Sequence, residues 1–305
     1  MNANEVIARL ASRQSRSRDP SQRPRQLRTE QQRRGARPRS TSPALLEIER
    51  AAGSGAPAPE AGARCQGAGF DDIIKSGRTH MMDATPIRLG QEFSGYASMV
   101  EHGDRPASRR RSRICASWRP AAPRSAPGST PHPEFGRRIA AEIGRRAGTA
   151  FVEARNHFEA QGTQDAALWA SGALNSVAAS LMKIASDLRL MNSGPRCGIA
   201  EIALPAVQPG SSIMPGKVNP VICEAMIQVG AQVMGNHVAI TVGVQGGQLD
   251  LNTMLPLIAR NLLESIRLLA RAARVFADKA VAGPDRERRH LPRATSRSRR
   301  AWPPH

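Results

Sequence analysis

Ala167, Ala170, Leu174, Val177, Leu181, Ile184 and Leu188 recur at spacings of three and four. That period predicts a helix of about seven turns with a single apolar seam. Leu255, Leu262, Leu269 and Phe276 repeat every seven residues, with Ile258 and Ala272 between them, and predict a second long helix. From Val221 to Val244 the chain is apolar on most faces, with Ala and Gly interspersed. A helix apolar nearly all round must lie among other helices, and its small residues let them approach closely. In a chain of this size such a helix suggests burial between subunits. Strand signals are weak. The fold class expected is all-α, a bundle of long helices.

The rest of the chain shows neither helical nor strand period. Residues 12–43 are Arg, Ser, Pro and Gln, residues 51–69 are Ala, Gly and Pro, and residues 104–128 form a second Arg/Pro/Ser block. A third begins at Pro284. The expected organisation is therefore a disordered 1–69, a helical segment 70–103, an Arg-rich 104–131, a central helical domain 132–283 and an Arg-rich tail 284–305.

Charge sharpens this division. The 305 residues carry a net charge of +19, which ordinarily points to nucleic acid or acidic membranes. Residues 1–50, 104–125 and 284–305 together hold 26 Arg, 8 acids and no Lys, whereas the remainder is nearly neutral. The basicity belongs to three blocks, and a basic tail evolved for nucleic acid would mix Lys with Arg. Neither nucleic acid nor a membrane is expected as a partner. No run of 18 or more apolar residues offers a transmembrane helix, and the N-terminus lacks the apolar stretch of a secretory signal. Cys65, Cys115, Cys197 and Cys223 show no CxxC spacing, which fits the reducing cytoplasm better than a disulfide framework or a zinc site. The seven His include no HExxH or paired-ligand pattern, so neither metal nor cofactor is expected.

The sharpest chemical signal is the stretch Gly210-Ser211-Ser212-Ile213-Met214-Pro215-Gly216-Lys217-Val218-Asn219-Pro220. Its glycines and prolines make a loop. Its hydroxyls, cation and amide gather the charge-assisted donors that a carboxylate substrate needs. Taken on chemistry alone, a plain interhelical linker with a solvated Lys217 explains it equally well.

This loop resembles the signature of the fumarase/aspartase superfamily. Ser76-Gly77-Arg78-Thr79-His80-Met81-Met82-Asp83-Ala84-Thr85-Pro86, with Leu89-Gly90-Gln91-Glu92-Phe93, is similar to the family's central region, and Ser193 to Gly198 matches a third stretch. The resemblance covers residues 70–103 and 132–283. His80, Thr85 and Cys197 stand where aspartases usually carry Gln, Val and Ala, which favours class II fumarate hydratase. Val221-Ile222 and Gly247-Gln248-Leu249 lean toward aspartate ammonia-lyase, which stays the alternative.

The resemblance implies reversible loss of water from L-malate to give fumarate, in a homotetramer whose sites draw on several subunits. It assigns Ser211 as the base for the C3 proton. Thr79, Ser212, Lys217 and Asn219 take carboxylate-binding positions. His80 assists proton transfer to the leaving hydroxyl, and Glu224 fixes its imidazole. His102, His132, His157 and His237 are read as structural.

Two family motifs are missing where Arg blocks stand: HPNDHVN with QSSND, and GTAVGTGLN. With synonymous codons chosen for Pro20 to Gln26, a one-base shift reads HPNDHVN. The same frame turns Thr29 to Arg33 into QSSND, and a two-base shift turns Ala122 to Pro131 into TAVGTGLNT. The Arg blocks are thus expected to be frameshifted translation, and the chain as written to have little or no activity. An inactive fragment or pseudogene product, and a basic nucleic-acid-binding protein, are the remaining alternatives.

Overall fold

The computed structural model describes residues 58–114, 117–118, 134–147, 151–156, 158–210, 213–214, 216–249 and 251–282. The expectations of disorder at 1–57, 119–131 and 284–305 lie outside these residues. The described chain is mostly helical, as the periodicity predicts.

Helix α1 spans Ala58–Gly69, inside a stretch that composition alone assigned to loop. Alanine loses no side-chain freedom in a helix, so an Ala-rich segment needs little periodicity to form one when it has a surface to pack on. Here that surface is α2 (Leu89–Ile114), against which Ala63 is buried.

Segment 70–103, expected above to be helical, instead splits. Strands β1 (Ile74–Thr79) and β2 (Met82–Arg88) form an antiparallel hairpin, with Lys75 opposite Ile87 and Thr79 opposite Met82. Ile73, Ile74, Thr79, Thr85 and Ile87 are β-branched and suit a pleated backbone, and Pro86 denies a helix one donor. Helix α2 follows directly and runs on past Gly103 to Ile114. Arginine has a high helix propensity, so an Arg-rich block can extend a helix without an apolar stripe.

Short elements come next. β3 (Ser117–Trp118) pairs in parallel with β4 (Val152–Glu153), flanking α3 (Phe135–Ala147), and a single turn, α4, covers Glu159–Gly162.

The bundle proper is α5 (Asp165–Met191), α6 (Val221–Gln245) and α7 (Leu255–Phe276), with a small β5–β6 ladder (Gly247–Gln248, Leu251–Asn252) before α7. A π-helical turn, Ala277–Val281, closes α7. On α5 the predicted seam is the buried one at Ala167, Leu181, Ile184 and Leu188, while Ala170, Leu174 and Val177 are half-buried. On α7, Ile258, Leu262, Leu269 and Phe276 are buried, and Leu255 and Ala272 half-buried. α6 packs between α5 and α7 and buries Cys223, Met226, Gly230, Val233, Asn236, Ile240 and Gly243. A β-carbon at Gly230 would overlap the side chain of Met182 on α5, which would have to shift to make room. The other face of α6 leaves Val238 62% and Val242 56% exposed. No helix among the described residues is long and apolar enough to cross a membrane.

α2 joins this bundle through Phe93, Tyr96 and Ala97, which share a core with Leu181, Ile184, Leu188 and Phe276. Tyr96 donates its hydroxyl to Asp187 Oδ2 at 2.9 Å, and Lys183 both pairs with Asp187 and sits 5.0 Å from the Tyr96 ring centre. Burial, with Asp187 beside it, pushes the Tyr96 phenol well above its usual range. The hydroxyl therefore stays protonated as a donor, and an apolar core tolerates it because it is satisfied.

Candidate active site

Two groups of the predicted site residues are set by different elements. The first is the hairpin tip. A two-residue turn joins β1 to β2, and both of its residues have positive φ, 54° at His80 and 63° at Met81. Such a turn matches the twist of the strands but normally employs Asn or Gly. A side chain in left-handed backbone costs about 1–2 kcal/mol, and strain of this kind concentrates at functional sites. Thr79, His80 and Met81 are all exposed. The tip thus projects a hydroxyl and an imidazole outward on a rigid ladder.

The second group surrounds the start of α6. Lys217 is exposed and its N–H donates to Met214 O at 3.1 Å. Gly210 closes the loop stem: a β-carbon there would stand 2.6 Å from Lys217 O. Asn219 precedes Pro220, the N-cap residue of α6, and Glu224 lies in its first turn. The positive end of the α6 dipole, whose orphan N–H groups suit anions, therefore begins beside Lys217 and Asn219. Ser211 and Ser212 lie outside the described residues.

Within one chain no hydrogen bond or ion pair among the described residues joins His80 to Glu224. Glu224 pairs instead with Arg189 of α5 at 3.4 Å. Arg189 was not singled out from the sequence, because a lone Arg near a helix C-terminus is ordinarily a solvated charge that favours the dipole.

Beneath Glu224 is Cys223, fully buried, whose thiol burial pushes up to about 11 against the weaker opposing effect of Arg189. A thiol so protonated and hidden is inert at neutral pH. Cys65 and Cys197 are free and exposed. Iodoacetamide at pH 7.5 should label both well before Cys223, read by mass spectrometry of tryptic peptides. Early labelling of Cys223 would show that the α5–α6 contact opens readily. His237 behaves as a structural histidine: half-buried, with Nδ1 2.9 Å from the buried Ser171 Oγ.

The hairpin is tied down by charges that sequence reasoning missed. Lys75, only 2% exposed, sets its Nζ 2.8 Å from both Glu92 oxygens and 3.0 Å from Glu201 Oε2. Arg78 Nη1 reaches Glu201 Oε1 at 2.7 Å, and Arg78 Nε lies 3.7 Å from Asp83. The two cations and the two more buried carboxylates balance.

Comparison with known proteins matches this chain to one family. A family model described as Lyase matches residues 63–235. The chain is 51% identical over 218 residues to the class II fumarate hydratase of Nitrosomonas europaea, covering 71% of this chain and 46% of that protein. It is 48% identical over 224 residues to fumarate hydratase 2 of Arabidopsis thaliana, covering 73% and 44%. Among solved structures, class II fumarase from Schistosoma mansoni is similar with a TM-score of 0.72 at 33% identity, covering 85% of this chain and 55% of that one. A fumarate lyase:delta crystallin structure from Brucella melitensis aligns with a TM-score of 0.71 at 36% identity, covering 84% and 56%. The chain spans about half the length of the relatives it matches.

Proposed function

This chain belongs to the lyase family of the fumarase/aspartase superfamily, and from that premise we propose that it derives from a class II fumarate hydratase, a hydro-lyase that interconverts L-malate and fumarate. The observation that carries the proposal furthest is the exposed His80 held in strained backbone, next to Thr79, at the tip of the hairpin.

In the proposed reaction Ser211, entering as its alkoxide, takes the proton from C3 of malate and becomes the neutral hydroxyl. The electron pair left behind spreads into the adjacent carboxylate as a dianion, which Lys217 and Asn219 stabilise at the positive end of α6, with Ser212 and Thr79 as further donors. The C2–oxygen bond then breaks, and a proton relayed by His80 lets the oxygen leave as water. Glu224 fixes the His80 imidazole when the two meet. Within a single chain Glu224 pairs with Arg189, and in the proposed assembly a second copy brings its own hairpin tip to it. The apolar face of α6 at Val238 and Val242 supports such a homo-oligomer, which we take to be a tetramer. We place the protein in the cytoplasm and in the tricarboxylic acid cycle, in keeping with its substrates.

We also propose that the Arg-rich blocks are out-of-frame translation, which puts the chain as written below full activity. The limits at 131 and 283 follow from the same proposal, whereas α1 begins before 69 and α2 runs through 103. The test is a frame-restored chain assayed on two substrates. Fumarate formed from malate, without ammonia released from L-aspartate, supports the hydratase; the reverse assigns aspartate ammonia-lyase. Resequencing the gene across codons 10–70 and 104–132 tests the frame itself.

A further inference from the structure

The charge cluster under the hairpin has no part in the reaction just described, yet its geometry is unusual. Glu201 is wholly buried, and its two oxygens face two different cations of β1: Lys75 at 3.0 Å and Arg78 at 2.7 Å. Neither oxygen is aligned as a hydrogen-bond acceptor, so the link is one of charge. The backbone of Glu201 is fixed independently. Its N–H donates to Met191 O at 2.8 Å, Ala200 N–H to Ser193 O at 2.8 Å, and Leu204 N–H to Asn192 Oδ1 at 2.8 Å. Glu201 is thereby anchored to the C-terminal end of α5, and the chain that leaves it leads to the loop beginning at Gly210.

A buried ion pair is a poor way to gain stability, because apolar replacements of equal volume often do as well or better. What such a pair does well is exclude alternative arrangements. A hairpin whose tip is strained has an alternative to exclude, since its turn would relax if the strands could slip.

We propose that Glu201 is a positioning residue: by bridging Lys75 and Arg78 it holds the hairpin tip carrying Thr79 and His80 at a fixed place relative to the end of α5 and the stem of the 210–219 loop. This assignment rests on the proposed function only for what the tip does. The tie itself can be measured without catalysis, so its failure and that of the hydratase reading are distinguishable.

The experiment is amide hydrogen exchange on the full chain as it stands. In Glu201→Gln the shape is kept and the charge removed. Amides of residues 76–83 should exchange about tenfold faster or more, while α5, α6 and α7 keep their protection. A second variant, Lys75→Met with Glu201→Leu, separates positioning from packing. It refills the site with apolar groups, but Arg78 still lacks its buried partner, so the tip should stay loose over an unchanged bundle. Native exchange at 76–83 in either variant overturns the proposal. If Glu201→Gln unfolds the chain throughout, Arg78→Gln decides instead, since it leaves Lys75 and Glu201 paired. Faster exchange confined to residues 78–83 then supports the proposal, and unchanged exchange overturns it.

Discussion

Restoring the reading frame over residues 12–50 and 104–131 should raise malate dehydration by about 10⁴-fold or more over the chain as written, since one preorganised donor is worth roughly 10²–10³ in kcat. Both segments that the shifted frames recover, HPNDHVN with QSSND and TAVGTGLNT, are absent from the chain as translated. On the proposed reading several substrate contacts are missing together, and the described residues supply only part of the proposed site: Thr79 and His80 on the hairpin, Lys217 and Asn219 before α6. The measurement is fumarate absorbance on purified protein with and without the restored segments. Equal rates from the two would mean that the Arg blocks do no harm and that the frame account is wrong.

The second large effect concerns the restored protein. Ser211→Ala should lower kcat by about 10²–10⁴, the range for losing a positioned acid or base, and leave KM nearly unchanged. The asymmetry follows from what remains in the proposed site, where Ser212, Lys217 and Asn219 would still bind the carboxylates. His80→Asn should also lower kcat, and for a different reason. An imidazole can take up and release a proton and an amide cannot, so one limb of the pH–rate profile should flatten. Glu224→Gln should produce a milder form of that change, since it alters the partner of the imidazole and keeps the imidazole itself. If Ser211→Ala retained nearly full kcat, Ser211 would not be the base and the loop would serve only to cover the substrate.

The helices were readable because burial repeats with the helical period. Leu181, Ile184 and Leu188 on α5, and Ile258, Leu262 and Leu269 on α7, are buried where the spacing of three and four puts them. The hairpin was not readable, since its apolar positions neither alternate cleanly nor recur every three or four residues, and Gly77 sits at an irregularity in the ladder. The tie through Glu201 was invisible for another reason: Lys75, Glu92 and Glu201 are far apart in sequence, and each alone resembles a solvated charge. The resemblance placed Thr79, His80, Lys217, Asn219 and Glu224 as candidates. It could not tell that Glu224 faces Arg189 within one chain, because that depends on which turn of α5 lies beside the first turn of α6.

The side chain of Gln66 in α1 donates to Ala282 O at 3.2 Å, across a separation of 216 residues. α1 is thus clasped by the far end of the bundle, against the π-helical turn that ends α7. During synthesis α1 leaves the ribosome long before its clasp exists, and must wait for residues 277–282 to emerge. The sequential helices α5, α6 and α7 can pair as they appear, but contacts between distant parts of a chain form late and slowly. The N-terminal apolar residues Ala63, Phe70 and Phe93 therefore stay uncovered on the one side for most of translation, and this is the interval in which a chaperone has most to protect.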